Sequence, residues 1–177
     1  MGKNTSPQRR TLMRVAGAGA VACGAALLLP RACSSASYPQ GSALAIEFGD
    51  LPQGKLRTVE WRGFPVWILR RSGAEIEALA SREDGLVDPD SRASAQPSGC
   101  RNRHRSLRPD IFVAIGLCTH QGCTPTLAST GGFLCPCHSS RYDLAGRVFK
   151  TGPATANLVI PAYRLEAADR LVLGQDG

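Results

Sequence analysis

Hydrophobic and polar positions divide the chain into stretches of different character. Residues 12–29 form an apolar run, and residues 31–42 are rich in Ser, Ala and Gly around Pro39. From residue 43 the pattern becomes strand-like: 43–48, a turn over 50–54, then 56–61 and 65–70 on either side of Arg62-Gly63. A dipeptide ending in glycine between two apolar runs predicts a tight hairpin. Residues 81–109 are polar, turn-rich and contain Asp88-Pro89-Asp90, which predicts a long ordered loop. A short apolar strand follows over 111–117, then a hairpin over 124–134 carrying Gly131-Gly132. Closing strands are expected over 158–160, 163–166 and 170–173, with a turn at 167–169. Short extended segments separated by turn residues predict a mostly β fold.

Composition agrees. The 177 residues include 19 glycines and 12 prolines, are 43% hydrophobic and only 6% aromatic, and so suit one modest, loop-rich β core rather than a helical bundle. The net charge of +7 is front-loaded: Lys3, Arg9, Arg10 and Arg14 stand near the start with no acid among them. That placement is a targeting and topology signal, and no nucleic-acid partner is expected. Ser6-Pro7-Gln8-Arg9-Arg10-Thr11-Leu12-Met13 reads as a twin-arginine export signal. A helix over the following apolar run would be ~27 Å long, against a hydrocarbon core of ~30 Å. A cleaved signal peptide ending near Ser34-Ser35-Ala36 is the competing reading, while Arg31 argues against a lipoprotein through Cys33. Residues 31–42 read as a flexible tether with a reach of at most ~40 Å. The arginines at 101, 103, 105 and 108 read as a solvated face, with an acidic partner or lipid headgroups as the sharper alternative. His104 lies in that run without a ligand pattern.

The chemistry concentrates in two stretches, Cys118-Thr119-His120-Gln121-Gly122-Cys123 and Cys135-Pro136-Cys137-His138-Ser139-Ser140. Cys118, His120, Cys135 and His138 offer two thiolates and two imidazoles, donors suited to zinc or to iron and sulfide rather than to calcium or magnesium. A four-coordinate zinc site would leave Cys123 and Cys137 without a role. A structural zinc module nevertheless stays open on the donor set alone. Seven cysteines suit an oxidising compartment or a metal site, and Cys23, Cys33 and Cys100 read as ordinary thiols.

These two loops, the Gly152-Pro153-Ala154 and Asn157-Leu158 run, the N-terminal segment and the approach from Arg92 to Gly116 together resemble the Rieske [2Fe-2S] iron-sulfur subunit of a bacterial cytochrome bc1 complex. The resemblance implies one [2Fe-2S] cluster, with Cys118 and Cys135 on one iron, His120 and His138 on the other, and a disulfide between Cys123 and Cys137. Such a bridge would contribute about 3 kcal/mol by chain entropy. His138 would dock quinol and couple proton to electron movement, with His120 as the second solvent-facing ligand. Ser140 and Tyr142 would donate hydrogen bonds to a bridging sulfide and a ligating sulfur, raising the potential.

The implied organisation is a signal and membrane anchor over 1–30, a hinge over 31–42 and a Rieske domain over 43–177. That domain would be an antiparallel β-sandwich-like body with an inserted cluster-binding subdomain at about 117–155. By the same resemblance the partners are quinol and the cytochrome b and cytochrome c1 subunits of a dimeric complex. The chain would be single-pass in the bacterial inner membrane, with its cluster domain in the periplasm. A Rieske subunit of another periplasmic oxidoreductase, such as an arsenite oxidase, is the alternative. Three positions depart from the family: Gln121 in place of leucine, Ser139 in place of glycine and Thr155 in place of proline. Ser139 would be strained if its backbone needs a positive φ.

Overall fold

A computed structural model describes residues 42–81 and 83–175. The expected anchor, and all of the expected hinge but Ser42, lie outside them. Among the described residues no helix is long and apolar enough to cross a membrane.

Among the described residues, nine strands form three antiparallel three-stranded sheets. The first has the order β1-β9-β8, from Leu44–Glu47, Arg170–Leu173 and Tyr163–Ala167. It brings the first and last described strands together. The second has the order β2-β3-β4, from Lys55–Trp61, Phe64–Arg70 and Ile111–Ile115. The third has the order β5-β6-β7, from Thr126–Leu127, Phe133–Leu134 and Arg141–Tyr142, and therefore consists entirely of chain between β4 and β8. The mostly β, antiparallel expectation holds.

The hairpin expected at Arg62-Gly63 is present. Trp61 pairs with Phe64, leaving a two-residue loop in which Arg62 has φ 57° and Gly63 φ 76°. Two positive φ values define the turn whose twist matches that of the flanking strands. In β3, Val66, Trp67, Ile68 and Leu69 are all buried, as is every residue of β4. Strands apolar on both faces are the expected result where both faces are covered. Trp67 stacks on Phe133 with ring centroids 4.7 Å apart, which fastens the second sheet to the third. The chain leaves β4 under that same indole: a Cβ on Gly116 would lie 2.4 Å from Trp67 Cε2, so no other residue fits there without displacing the ring.

Four sequence expectations change. First, α1 (Gly73–Ser81) was not foreseen. It starts with a reciprocal cap in which the Glu75 N–H donates to Ser72 Oγ and the Ser72 N–H donates to Glu75 Oε2, the Ser-x-x-Glu signature legible in the sequence. Second, residues 158–160 are buried or half-buried but form no strand; the N–H groups of Leu158 and Ile160 bond to Gly146 O and Ala95 O, in separate loops. Third, β4 stops at Ile115: the Gly116 N–H still bonds to the carbonyl of Pro65 in β3, but proline has no N–H to return the bond. Fourth, the basic cluster is not a uniform solvated face. Arg105 is fully buried, and Arg108 is held by Asp110 at 2.7 Å.

Candidate metal centre

The two cysteine loops share one backbone design. In the first, the Cys118 N–H donates to Cys123 O (2.7 Å) and the Gly122 N–H to Cys118 O (2.8 Å). In the second, the Cys135 N–H donates to Ser140 O (2.8 Å) and the Ser139 N–H to Cys135 O (3.0 Å). Each loop thus closes with the same offsets around its leading cysteine. The fifth residue of each is left-handed, with φ 78° at Gly122 and 59° at Ser139. The conditional strain at Ser139 is therefore real: a side chain sits where glycine is the unstrained choice.

A disulfide joins Cys123 to Cys137, with 6.6 Å between their Cα atoms. The sulfurs of Cys123, Cys135 and Cys137 lie within 4.8 Å of one another, but two of them are consumed by the bridge and are not available to a metal. That leaves Cys118 and Cys135, both buried as free thiols, and the two histidines. The rings of His120 and His138 meet edge to face with centroids 4.8 Å apart. His138 is exposed, whereas His120 is half-buried, and its Nδ1 is buried without a hydrogen-bond partner.

Tyr142 ties this group to the fold. It is buried in β7, and its hydroxyl lies 3.2 Å from Cys118 Sγ. The same oxygen accepts the Thr119 N–H (3.1 Å) and lies 3.0 Å from Thr119 Oγ1, which donates in turn to Ala156 O (2.6 Å). Burial pushes the Cys118 thiol up, but the Tyr142 hydroxyl, the His120 N–H, Cys135 and the Gln121 N–H together outweigh it and hold the group below its ordinary value. Tyr142 moves the other way, raised by burial and by its bond to Cys118, and so keeps its proton. Ser140 is fully buried, and its Oγ accepts the Ala154 N–H at 3.1 Å, leaving its own proton free to donate. Gly152 makes this approach possible, since a Cβ there would lie 2.6 Å from Ser140 Cα.

Every residue expected at the site is on these two loops or on β7 immediately after them. His104 is elsewhere: its N–H donates to Asn102 Oδ1 and its carbonyl accepts from Arg71. Cys100 is also apart, fully buried with its thiol 3.7 Å from the Tyr163 hydroxyl. Thr119 was missed, although a hydroxyl next to the leading cysteine was a visible signal.

The donors fit an iron-sulfur group. Two buried thiols, one held toward its thiolate, and a pair of imidazoles in ring contact lie on the two loops, and one ring nitrogen is buried with nothing to bond. An orphaned buried nitrogen of that kind is costly unless a ligand occupies it.

Residues 100–164 match the family model described as the Rieske [2Fe-2S] domain. The chain is 41% identical over 189 aligned positions to the "Ubiquinol-cytochrome c reductase iron-sulfur subunit" of Allochromatium vinosum, covering 99% of this chain and 91% of that one. It is 35% identical to the "Cytochrome b-c1 complex subunit Rieske, mitochondrial" of Bos taurus, across 80% of this chain, and spans about half (48%) of that longer relative. Among solved structures, one titled "Hyperthermophilic respiratory Complex III" aligns with a TM-score of 0.49 and 22% identity over 82% of both chains.

Proposed function

This chain belongs to the family of Rieske iron-sulfur subunits of ubiquinol-cytochrome c reductase, and from that premise we propose that it accepts one electron from quinol, with release of a proton, and passes it to a c-type cytochrome. Cys118 and Cys135 would hold one iron of a [2Fe-2S] cluster and His120 and His138 the other, with Cys123–Cys137 bracing the loops. A bound cluster supplies a one-electron site, and exchanging two thiolates for neutral imidazoles removes negative charge and raises its potential. The observation that carries the reading is the edge-to-face pair of His120 and His138 on the same two loops as two buried free thiols, with His120 Nδ1 left unbonded.

The protein's own groups do the remaining work. His138, exposed at the tip, accepts a hydrogen bond from the quinol hydroxyl at a ring nitrogen and holds the proton that leaves it. His120 is the second imidazole at that surface. Tyr142 donates to Cys118 Sγ and Ser140 keeps a hydroxyl proton for a sulfur acceptor; donors aimed at sulfur favour the more negative, reduced state. The exposed Gln121 puts an amide on the surface that meets the quinone site.

The wider assignment rests on the same family premise. Residues 1–30 act as export signal and single membrane anchor, 31–42 as hinge and 43–177 as the periplasmic cluster domain. The third sheet, built wholly between β4 and β8, supports an inserted cluster-binding subdomain near 117–155. Cytochrome b and cytochrome c1 are the partners, in a dimeric complex of the bacterial inner membrane. Detergent extraction of a tagged full-length chain tests this. Co-purification of b- and c-type haem, with quinol-dependent cytochrome c reduction lost in His138→Ala, is the expected result. Co-purification of a molybdenum protein instead would contradict it.

A further inference from the structure

Among the described residues, three arginines have at most 1% of their surface exposed: Arg71, Arg105 and Arg147. Arg147 has a buried counter-charge, Asp143, at 2.6 Å. Arg105 has none. Its Nε and Nη2 donate to Gln96 Oε1 (3.2 and 2.9 Å), its Nη1 to the carbonyls of Ala145 (3.3 Å) and Gly146 (3.2 Å), and its Nη2 also to Leu158 O (2.7 Å). Every acceptor is neutral. Arg71 is alike in this respect, bonded to His104 O, Leu144 O and Ser106 Oγ. Burial lowers Arg105 to about 10, still fully protonated at neutral pH. Two carboxylates contribute to its field, Asp143 and Asp88. The first is paired with Arg147, and the second is bonded by the N–H groups of Arg92 and Ala93 and by the Ser94 hydroxyl.

An unpaired cation taken out of water is costly, and its field is felt with little screening in the low-dielectric interior. Arg105 is also connected to the metal centre through a chain of contacts. It holds Leu158 O; two residues earlier, Ala156 O accepts the Thr119 hydroxyl, and Thr119 contacts the Tyr142 oxygen that lies on Cys118 Sγ.

We propose that Arg105 is a remote electrostatic determinant of the reduction potential, its unpaired buried charge favouring the one-electron-reduced state of the cluster that Cys118, Cys135, His120 and His138 would hold. This rests on the cluster assignment above. The added electron makes the group more negative, so a fixed internal cation stabilises the reduced form more than the oxidised one. A purely structural Arg105 would brace the loops and leave the potential alone.

Gln96→Glu separates the two roles. It keeps the acceptor on Nε and Nη2 and supplies the missing counter-charge, while giving up the bond from Gln96 Nε2 to Ser91 O. With iron content and the reduced-state paramagnetic resonance intact, we expect the midpoint at pH 7 to shift downward. A midpoint equal to that of the unmutated chain would overturn the proposal. Arg105→Lys keeps the charge but loses the fork; its unfolding temperature should fall while its midpoint stays near the unmutated value. A drop in that midpoint as large as in Gln96→Glu would also overturn it. An unmutated chain without the reduced-state resonance would overturn the cluster assignment, and this inference with it, so the two failures read differently.

Discussion

The Tyr142 hydroxyl lies 3.2 Å from Cys118 Sγ and takes in the Thr119 N–H at 3.1 Å, so one phenol joins β7 to the first cysteine loop. Replacing Tyr142 by Phe removes the donor to sulfur without changing the ring. The loss of one hydrogen bond to a charged acceptor, on the order of 1.4 kcal/mol, corresponds to about 60 mV for one electron. We expect a redox titration of Tyr142→Phe to give a midpoint lower by that order, and Ser140→Ala to lower it as well. Unchanged midpoints would remove both hydroxyls from the tuning account.

Ser139 has φ 59° at the loop position that Gly122 fills in the other loop. A left-handed non-glycine residue costs ~1–2 kcal/mol, partly offset by the greater chain entropy glycine loses on folding, ~0.5–1 kcal/mol. Ser139→Gly should therefore stabilise the domain by up to ~1.5 kcal/mol in denaturant unfolding. A loss of stability would show that the serine side chain makes a contact worth more than its strain.

The Cys123–Cys137 bridge connects residues 14 apart in sequence. Breaking it with Cys123→Ala and Cys137→Ala together should cost about 3 kcal/mol and hasten loss of the visible absorption. Titration with a thiol reductant, followed by absorbance and by unfolding midpoint, checks both.

Asp88 gives the fold an acid limb. Burial raises its carboxyl, but the Ser94 hydroxyl, the N–H groups of Arg92 and Ala93 and the charge of Arg105 outweigh it and hold the group below its ordinary value. A depressed carboxyl contributes stability above its unfolded value, near pH ~4, and loses it as pH falls through the folded value. Asp88→Asn should be less stable at pH 7 and should show a flatter decline below about pH 4, measured by unfolding at several pH values.

Much of this was legible in the chain. Arg62-Gly63 announced its hairpin because the turn chemistry is local, and the two cysteine loops announced their donors because ligand type and spacing are local too. What stayed hidden was set by tertiary partners. Arg105 looks like any surface arginine until the carbonyls of Ala145, Gly146 and Leu158, brought in from 40 to 53 residues away, close around it. Residues 158–160 looked like a strand because they are apolar, yet their N–H groups bond to separate loops. Helix α1 was the avoidable miss, since Ser72 and Glu75 carried its cap signature.

The account stands on mixed sulfur and nitrogen ligation by Cys118, Cys135, His120 and His138. Metal and sulfide analysis of the purified chain, combined with electron spin-echo modulation of the dithionite-reduced state, tests it most directly. We expect about two irons and two sulfides per chain and modulation from two imidazole nitrogens, with one lost in His138→Cys. Zinc in place of iron, or a reduced-state signal without nitrogen coupling, would contradict it.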